Sequence, residues 1–201
     1  LVVVLGDFGF VWDGSKAEQK NLDWLRKRPY TILFLDGSHE NYDLLEQYPT
    51  EERFGGLVQP LGGNVYHVCR GSVLEGKKYL CFGGAESPDK EEREAHVNWW
   101  PQEMPSDEEY ARCEAALEAN GWQVDYVLTH DAPSKFLDFS VLAEGENNRL
   151  HLFLDKVVMK TTYEKWFFGC HHKDVQLSTK SRCLFCDVVS IGEKKPWWKR
   201  R

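Results

Sequence analysis

The sequence lacks a long apolar stretch, a secretory leader pattern and an excess of positive charge. No run reaches the ~18 consecutive apolar residues of a membrane-spanning helix, and no basic start leads into a short apolar segment with a cleavage site. These absences predict a soluble, cytoplasmic protein with no membrane partner. The formal net charge of -7 does not indicate nucleic-acid binding, so a phosphate-bearing ligand would need a local site.

Cysteine is also sparse, with six residues scattered over 201 positions. A chain of this length, 42% hydrophobic and 13% aromatic, can bury one substantial core without disulfide bonds, so we expect reduced thiols. We predict one domain over residues 1–192 and a basic tail over 193–201 that carries Trp197 and Trp198. A solvated end is the default for this tail, and docking on a nucleic acid or a partner is the alternative.

The chain opens directly on an apolar, β-branched run, residues 1–5. This run predicts a strand that is buried on both faces and ends just before Asp7. Because the run starts at Leu1 instead of Met, we expect the natural protein to extend further toward the N-terminus. Ser15 can cap a helix, and residues 31–35 then predict a second buried strand.

The remaining elements follow from periodicity and from helix caps. Residues 65–69 and 78–82 predict short strands of an antiparallel meander, and Ser106 with Glu109 forms the capping box of a helix. The other predicted elements are a strand over 124–128, a helix over 149–160, a strand over 165–168 and a hairpin formed by 174–178 and 182–191. The alternation predicts an α/β fold of mixed β-sheets packed face to face and flanked by helices.

Polar side chains follow several of the predicted buried strands by one to four residues: Asp7, His39, His130 and His172. The carboxyl ends of strands are where α/β sheets place their sites. An Asp oxygen can bridge two cations, and neutral imidazole is the commonest nitrogen ligand of transition metals. The set therefore predicts a transition-metal site, although any one of the histidines alone is more often a core or surface residue.

Four short motifs carry a resemblance to a known family: Gly-Asp-Phe-Gly at 6–9, Gly-Ser-His-Glu at 37–40, Thr-His at 129–130 and Gly-Cys-His-His at 169–172. In order and spacing they resemble the motifs of calcineurin-like metallophosphoesterases, and the similarity covers nearly the whole chain. The stretch from Gly83 to Pro101 is similar to a bacterial and phage branch of that family. The resemblance implies a four-layer α/β/β/α sandwich that lacks its first strand.

The same resemblance implies roles for individual residues. Asp7 would bridge two divalent metal ions (Mn, Fe or Zn), His130 would bind the second ion, and His172 would bind the first. A protonated His39 would act as general acid toward the leaving alcohol. Glu40 would orient a neighbouring group, with a surface salt bridge as the alternative.

This sequence departs from the family pattern at several ligand positions. The first motif, Asp-x-His, is absent, Ser38 stands where the family has Asn, and Cys170 stands where it has His. A serine hydroxyl reaches a metal less directly than an amide carbonyl, while a thiolate at Cys170 favours zinc or ferrous iron over magnesium. Retention of only one of the two metals is therefore an alternative. We expect little hydrolysis from this chain.

Other cationic and aromatic residues are candidates for substrate binding. Arg70, Lys90 and Arg93 could contact a substrate phosphate, with Trp99 and Trp100 stacking a base. Surface cations and a packed aromatic pair are the simpler interpretation, and Arg70 and Arg93 are the candidates that we retain for substrate binding.

Two functions remain open on the sequence. The first is a metal-dependent hydrolase of small-molecule or nucleotide phosphomonoesters or phosphodiesters with an altered dinuclear metal site. The second is a catalytically degenerate relative that serves as a protein- or nucleotide-binding module. A zinc ribbon that includes Cys183 and Cys186 is disfavoured, because residues three apart on a strand point to opposite faces.

Overall fold

The computed structural model describes residues 1–76, 78–137 and 147–191, so the predicted basic tail lies outside the described residues. The helices are α1 (Lys16–Arg26), α2 (Tyr42–Leu45), α3 (Asp107–Ala119), α4 (Ser134–Leu137) and α5 (Arg149–Lys160). The strands are β1 (Val2–Val4), β2 (Ile32–Phe34), β3 (Glu51–Arg53), β4 (Gly56–Gly62), β5 (Val65–Val68), β6 (Ser72–Leu74), β7 (Tyr79–Phe82), β8 (Tyr126–Thr129), β9 (Lys165–Phe168), β10 (Val175–Gln176) and β11 (Ser181–Cys183). Short 3-10 turns cover Lys90–Glu92 and Pro101–Glu103.

The strands form two mixed sheets. One has the order β1-β2-β5-β4-β3 and the other the order β10-β11-β9-β8-β7-β6. The β1-β2 and β2-β5 pairs are parallel in the first sheet, as are β7-β8 and β8-β9 in the second. The prediction of an α/β fold with two mixed sheets flanked by helices is confirmed.

Alternating side chains on the strands divide the apolar core into three layers. Phe34 packs with Leu22 of α1 on the outer face of the first sheet. Leu33 lies on the opposite face and belongs to the same core cluster as Leu128 of the second sheet. On the outer face of the second sheet, Val127 packs with residues of α3 and α5. Because successive strand residues point to opposite faces, a continuous apolar strand is buried from both sides.

The helix starts predicted from caps are confirmed. The Ser15 side chain accepts a hydrogen bond from the Glu18 backbone N–H at the start of α1, and Ser106 and Glu109 form a reciprocal capping box at the start of α3. No helix in the described ranges combines the length and the apolar character needed to cross a membrane.

The prediction for the first strand was right about its existence but wrong about its burial. β1 lies at the edge of its sheet, where Leu1 is 59% and Val2 43% exposed. Apolar composition alone does not distinguish an edge strand from a central one. β2, which pairs on both sides, is fully buried as predicted.

The predicted meander over 65–69 and 78–82 was wrong in its pairing. β5 and β7 belong to different sheets, and their antiparallel partners are β4 and β6, respectively. The chain crosses between the sheets at Gly71, which has a φ of +82° and lies so close to α3 that an added Cβ would be 2.8 Å from the Cys113 nitrogen. Glycine is the residue that tolerates both conditions.

The C-terminal hairpin is confirmed but shorter than predicted. β10 and β11 pair antiparallel, and β11 ends at Cys183. Cys183 is buried, whereas Cys186 lies beyond the strand and is exposed. The argument that both cysteines sit on one strand was therefore wrong, although the structure still separates them by burial.

Candidate functional site

The carboxyl ends of parallel strands from both sheets meet at one rim. Asp7 follows β1, His39 follows β2 and His130 follows β8. The two sheets touch here, because the His130 Nδ1 donates a hydrogen bond to the Leu5 carbonyl at 2.6 Å. The His130 Nε2 then lies 3.6 Å from the Asp7 Oδ1. Side chains 123 positions apart in the sequence are thus brought together as the strand-end argument predicts.

The hydrogen bond to Leu5 determines the proton position on His130. With Nδ1 acting as donor, a neutral ring presents the lone pair of Nε2, which is the form that binds metals. The His130 side chain is only 2% exposed, and its Nε2 makes no hydrogen bond within the described part of the chain. A buried polar atom without a partner is costly unless a ligand satisfies it.

Asp7 supplies the negative charge beside this lone pair. Burial alone would raise the pKa of its carboxyl, but hydrogen bonds from His39 and the proximity of His130 outweigh burial and lower the pKa to about 2. The His39 backbone N–H donates to Oδ1 at 2.9 Å, and the His39 Nδ1 lies 3.3 Å from Oδ2. Asp7 is therefore an oriented carboxylate at neutral pH.

The distance between Asp7 and His130 fits a shared cation. Two ligand atoms about 2.1 Å from an ion at a tetrahedral angle are about 3.4 Å apart, close to the observed Oδ1–Nε2 separation. Oxygen and imidazole nitrogen together suit manganese, iron or zinc. These residues can hold a divalent cation with little movement.

Two glycines make this approach possible. A Cβ on Gly6 would lie 2.0 Å from the His130 Nδ1, and a Cβ on Gly37 would lie 2.2 Å from the Asp7 Oδ1 and 2.8 Å from the His130 Nε2. Real Cβ atoms do not approach other atoms so closely. The glycines of the Gly-Asp and Gly-Ser-His-Glu motifs thus leave the space that the site occupies.

His39 lies on the open side of the site and is half exposed. Its hydrogen bond with Asp7 raises the pKa of the imidazole above its ordinary value. The Ser38 Oγ lies 3.0 Å from the His39 Nδ1, so in this structure the hydroxyl contacts His39. The Arg93 Nη2 lies 3.4 Å from the His39 Nε2, which places this predicted substrate residue at the site.

Glu40 is a buried residue that contacts the loop carrying Asp7. It is 1% exposed, and its Oε1 accepts a hydrogen bond from the Phe8 backbone N–H at 2.8 Å. Burial raises the pKa of this carboxyl well above its ordinary value, so the group is held protonated. The surface salt-bridge alternative is wrong; Glu40 orders the loop that carries Asp7.

Cys170 and His172 follow β9 on the same side of the molecule. Together with Asp7 and His130 they border a cavity of about 650 Å³ whose other walls are mainly apolar. The His172 ring packs against Phe185, with the ring centroids 4.9 Å apart. Asp7, Cys170 and His172 all have positive φ values, between 49° and 56°. Such backbone conformations in non-glycine residues cluster at functional sites.

The sequence argument missed two residues that are neighbours in sequence of residues lining this cavity. Asp131 directly follows His130, and His171 lies between the two residues that the family motif singled out. Ligand atoms of Asp131, Cys170 and His171 lie within 4.8 Å of one another. The strand-end criterion that selected His130 applies equally to Asp131, so this signal was available in the sequence.

Arg70, the other tentative substrate residue, belongs to the interior. Its side chain is 3% exposed, and its guanidinium pairs with the buried carboxylate of Asp36 and with Glu109, the latter at 3.1 Å. The surface position is therefore wrong for this residue, and its donors are occupied by protein groups. A substrate contact of Arg70 stays a prediction. The ion pair with Asp36 joins residues 34 positions apart, which the sequence does not reveal.

The remaining candidates have structural contacts. Trp100 is 2% exposed, packs edge to face against Trp12 with centroids 5.3 Å apart and donates to the Asp43 Oδ2 at 2.9 Å. Lys90 pairs with Glu86 at 2.6 Å. The packed-aromatic interpretation is the one that fits Trp100.

Comparison with known proteins adds no relative: no model of a known protein family matches the chain, and no curated protein matches it. The fold and the site define the chain as an α/β protein of two mixed sheets with an Asp-His cluster at the rim. Its function is argued below from these residues alone.

Proposed function

We propose that this protein is a metal-dependent phosphoester hydrolase that acts on a small-molecule or nucleotide phosphomonoester or phosphodiester. The observation that carries the proposal is the 3.6 Å separation between the Asp7 Oδ1 and the buried His130 Nε2, which has no hydrogen-bond partner among the described residues. An anionic oxygen and an imidazole lone pair that point to the same position can together bind a cation.

The residues around this point have different proposed roles in hydrolysis. A divalent cation bound there would balance the negative charge of a phosphoryl oxygen and lower the pKa of bound water. Asp7 and His130 would hold the cation, Glu40 orders the loop that carries Asp7, and Gly37 leaves the space that the site needs. His39, whose pKa is raised by its hydrogen bond with Asp7, would donate a proton to the leaving oxygen on the solvent-facing side when it is protonated. Arg93 lies beside it and can bind a phosphate oxygen.

The proposed number of ions is two, in line with the family resemblance, and the alternative is one. His172 borders the same cavity as Asp7 and would serve the other ion. Ser38 is the weakest proposed ligand, because its hydroxyl contacts His39. Manganese, iron and zinc all accept carboxylate and imidazole ligands.

A binding module without catalysis is the second candidate. Two observations favour it: the Ser38 hydroxyl contacts His39, and Cys170 lies with Asp131 and His171. In that case the apolar cavity of about 650 Å³ would hold a nucleotide or a protein side chain.

The test compares metal content and hydrolysis in the same samples. The purified chain is loaded with Mn²⁺, its metal content is measured by elemental analysis, and turnover of an aryl phosphate monoester and an aryl phosphate diester is recorded. The decisive variant is Asp7→Asn, because asparagine tolerates the φ of 51° at this position but lacks the anionic charge. Asp23→Asn, which alters an exposed carboxylate paired with Arg26, is the matched control.

We expect bound manganese and slow turnover in the unmodified chain and in Asp23→Asn, and loss of both in Asp7→Asn. Loss of a directly bound ligand should weaken metal binding by more than the about 10- to 100-fold that indirect partners contribute. Turnover that is unchanged in Asp7→Asn would refute the site. Stoichiometric metal without turnover of either ester would favour the binding module.

A further inference from the structure

A second cluster of metal-binding side chains lies beside the Asp7–His130 pair. One carboxylate oxygen of Asp131, the Cys170 Sγ and one ring nitrogen of His171 lie within 4.8 Å of one another. In the described ranges, 1–76, 78–137 and 147–191, this is the group in which three such side chains bring their ligand atoms this close together. The three residues come from two neighbouring parallel strand ends, after β8 and after β9.

Asp131 is held in a fixed orientation by groups outside the cluster. Its Oδ1 accepts a hydrogen bond from the Ala132 backbone N–H at 2.7 Å, and its Oδ2 lies 2.8 Å from the His151 Nε2. The Nδ1 of His151 accepts from the Asn148 N–H, so the Nε2 of a neutral His151 carries the hydrogen and donates to Asp131. Such hydrogen bonds to a ligating carboxylate are typical of metal sites.

The His171 Nε2 faces the Asp131 carboxylate at a distance longer than that of an ordinary hydrogen bond. This nitrogen lies 3.4 Å from the Asp131 Oδ1, is buried, and makes no hydrogen bond within the described part of the chain. A lone pair on this atom would point toward the carboxylate, which is unfavourable unless a proton or a cation lies between them. Cys170 reaches the cluster from a left-handed backbone conformation, φ 56°, which is uncommon outside glycine.

We propose that Asp131, Cys170 and His171 form a zinc site, with His151 as a positioning residue. The site uses ligands other than Asp7 and His130 and does not rest on the proposed hydrolase function. Sulfur, nitrogen and oxygen at about 2.0–2.3 Å suit Zn²⁺, and three protein ligands leave one position of a tetrahedral ion open. The open position would accept water or an anionic group of a ligand.

Binding of the ion changes the protonation of the site. The Cys170 thiol forms its bond to zinc as thiolate, and its proton leaves to the solvent, so one proton is released for each ion bound. The Asp131 Oδ1 and the His171 Nε2, 3.4 Å apart, already have the spacing of two ligands of one ion. The Cys170 Sγ lies within 4.8 Å of the other ligand atoms and needs to approach them by at most about 1 Å. Rotation of the adjacent Cys170 and His171 side chains can supply that movement.

The probe for the experiment is Co²⁺, which replaces Zn²⁺ and gives a near-ultraviolet absorption band when a thiolate binds it. The reduced 201-residue chain is titrated with Co²⁺, and Zn²⁺ is then added as competitor. We expect a saturable thiolate band with one Co²⁺ per chain and its loss when Zn²⁺ displaces cobalt. Absence of the band would overturn the proposal.

Variants identify the ligands. Cys170→Ser should remove the band, and His171→Ala should weaken Co²⁺ binding by more than about 100-fold, because it removes a direct ligand. His151→Gln should weaken binding by about 10- to 100-fold but keep the band. Cys186→Ser, which alters an exposed thiol outside the cluster, should leave the titration unchanged.

A further variant separates this site from the one bearing Asp7. If Cys170 belongs to the Asp131 cluster, Asp7→Asn keeps the thiolate band even where hydrolysis is lost. A band that disappears in Asp7→Asn but persists in His171→Ala would overturn the proposal and assign Cys170 to the Asp7–His130 site. Zn²⁺-induced thermal stabilisation of the unmodified chain, absent in Cys170→Ser, provides a second readout that does not depend on cobalt.

Discussion

Two aspartates follow neighbouring parallel strands and have opposite surroundings. Asp36, after β2, is 1% exposed and is enclosed by Arg70, the His67 Nε2 at 3.0 Å and the Tyr42 hydroxyl at 3.0 Å. Asp7, after β1, has a side chain 25% exposed and faces the His130 Nε2, which makes no hydrogen bond with any part of the chain that the structure describes. The two clusters contain similar residue types. The polar groups around Asp36 bind one another, whereas the His130 Nε2 beside Asp7 has no partner among the described residues.

The difference separates a structural cluster from a binding cluster. A buried charge that is paired and hydrogen bonded has no free position for a ligand, and its removal lowers the stability of the fold. A carboxylate beside an unsatisfied imidazole lone pair contributes less to stability and keeps its capacity for a cation. The predictions below test this contrast, starting with the largest expected effect.

Asp36→Asn should be the most destabilising of these changes. It leaves the buried guanidinium of Arg70 without its counter-charge, and breaking a buried ion pair from one side costs about 3–5 kcal/mol. Asp7→Asn keeps an acceptor for the His39 N–H, and we expect a loss of about 1–2 kcal/mol. Urea unfolding of both variants measures the free energies, and equal losses would remove the contrast.

Gly37→Ala should damage the cation site more than the fold. The added Cβ would overlap the Asp7 Oδ1 and the His130 Nε2, so we expect at least a ~10-fold loss of Mn²⁺ affinity and a cost of about 1–3 kcal/mol in stability. Gly76→Ala is the control, because its Cβ would meet nothing within 4 Å and only its φ of +76° is strained. Calorimetric titration of both variants should show loss of affinity in Gly37→Ala alone.

A fall in pH should reduce the contribution of the Asp36 carboxylate to the stability of the fold. Burial alone would raise the pKa of Asp36, but Arg70 and His67 outweigh burial and lower the pKa below its ordinary value. A lowered pKa contributes stability that is complete above the unfolded value, about 3.9, and is lost as the pH falls toward the folded value. The stability difference between the unmodified chain and Asp36→Asn should therefore be constant from pH 7 to about 5 and narrow below about 4. A difference that widens in acid would contradict the pairing.

Glu40→Gln should have the smallest effect. Its raised pKa means that the folded chain holds this carboxyl protonated, so the group contributes stability below the unfolded pKa of about 4.3 that is lost as the pH rises. Glutamine is neutral, has a similar shape and keeps the acceptor for the Phe8 N–H. At pH 7 we expect the variant to equal or exceed the unmodified chain by up to about 1 kcal/mol. Thermal unfolding measures this, and a loss of several degrees would show that the carboxyl is needed in ionised form.

Much of the candidate site could be predicted from the sequence, for a local reason. The residue that follows a parallel strand lies at the carboxyl edge of the sheet. Short apolar runs alone were therefore enough to place Asp7, His39 and His130 at that edge. The same criterion applied to Asp131 would have added it. The family motifs include His130, Cys170 and His172 but give no role to Asp131 or His171.

The sequence by itself determined the elements whose causes act over a few residues: the buried strand β2, the caps of α1 and α3, and the strand-end position of Asp7, His39 and His130. Only the tertiary structure decided that β1 is an edge strand, that β5 and β7 lie in different sheets, and that Cys170 lies with Asp131. Caps and periodicity depend on neighbours along the chain, whereas sheet order and clusters between strand ends depend on contacts between distant segments, which no local pattern encodes.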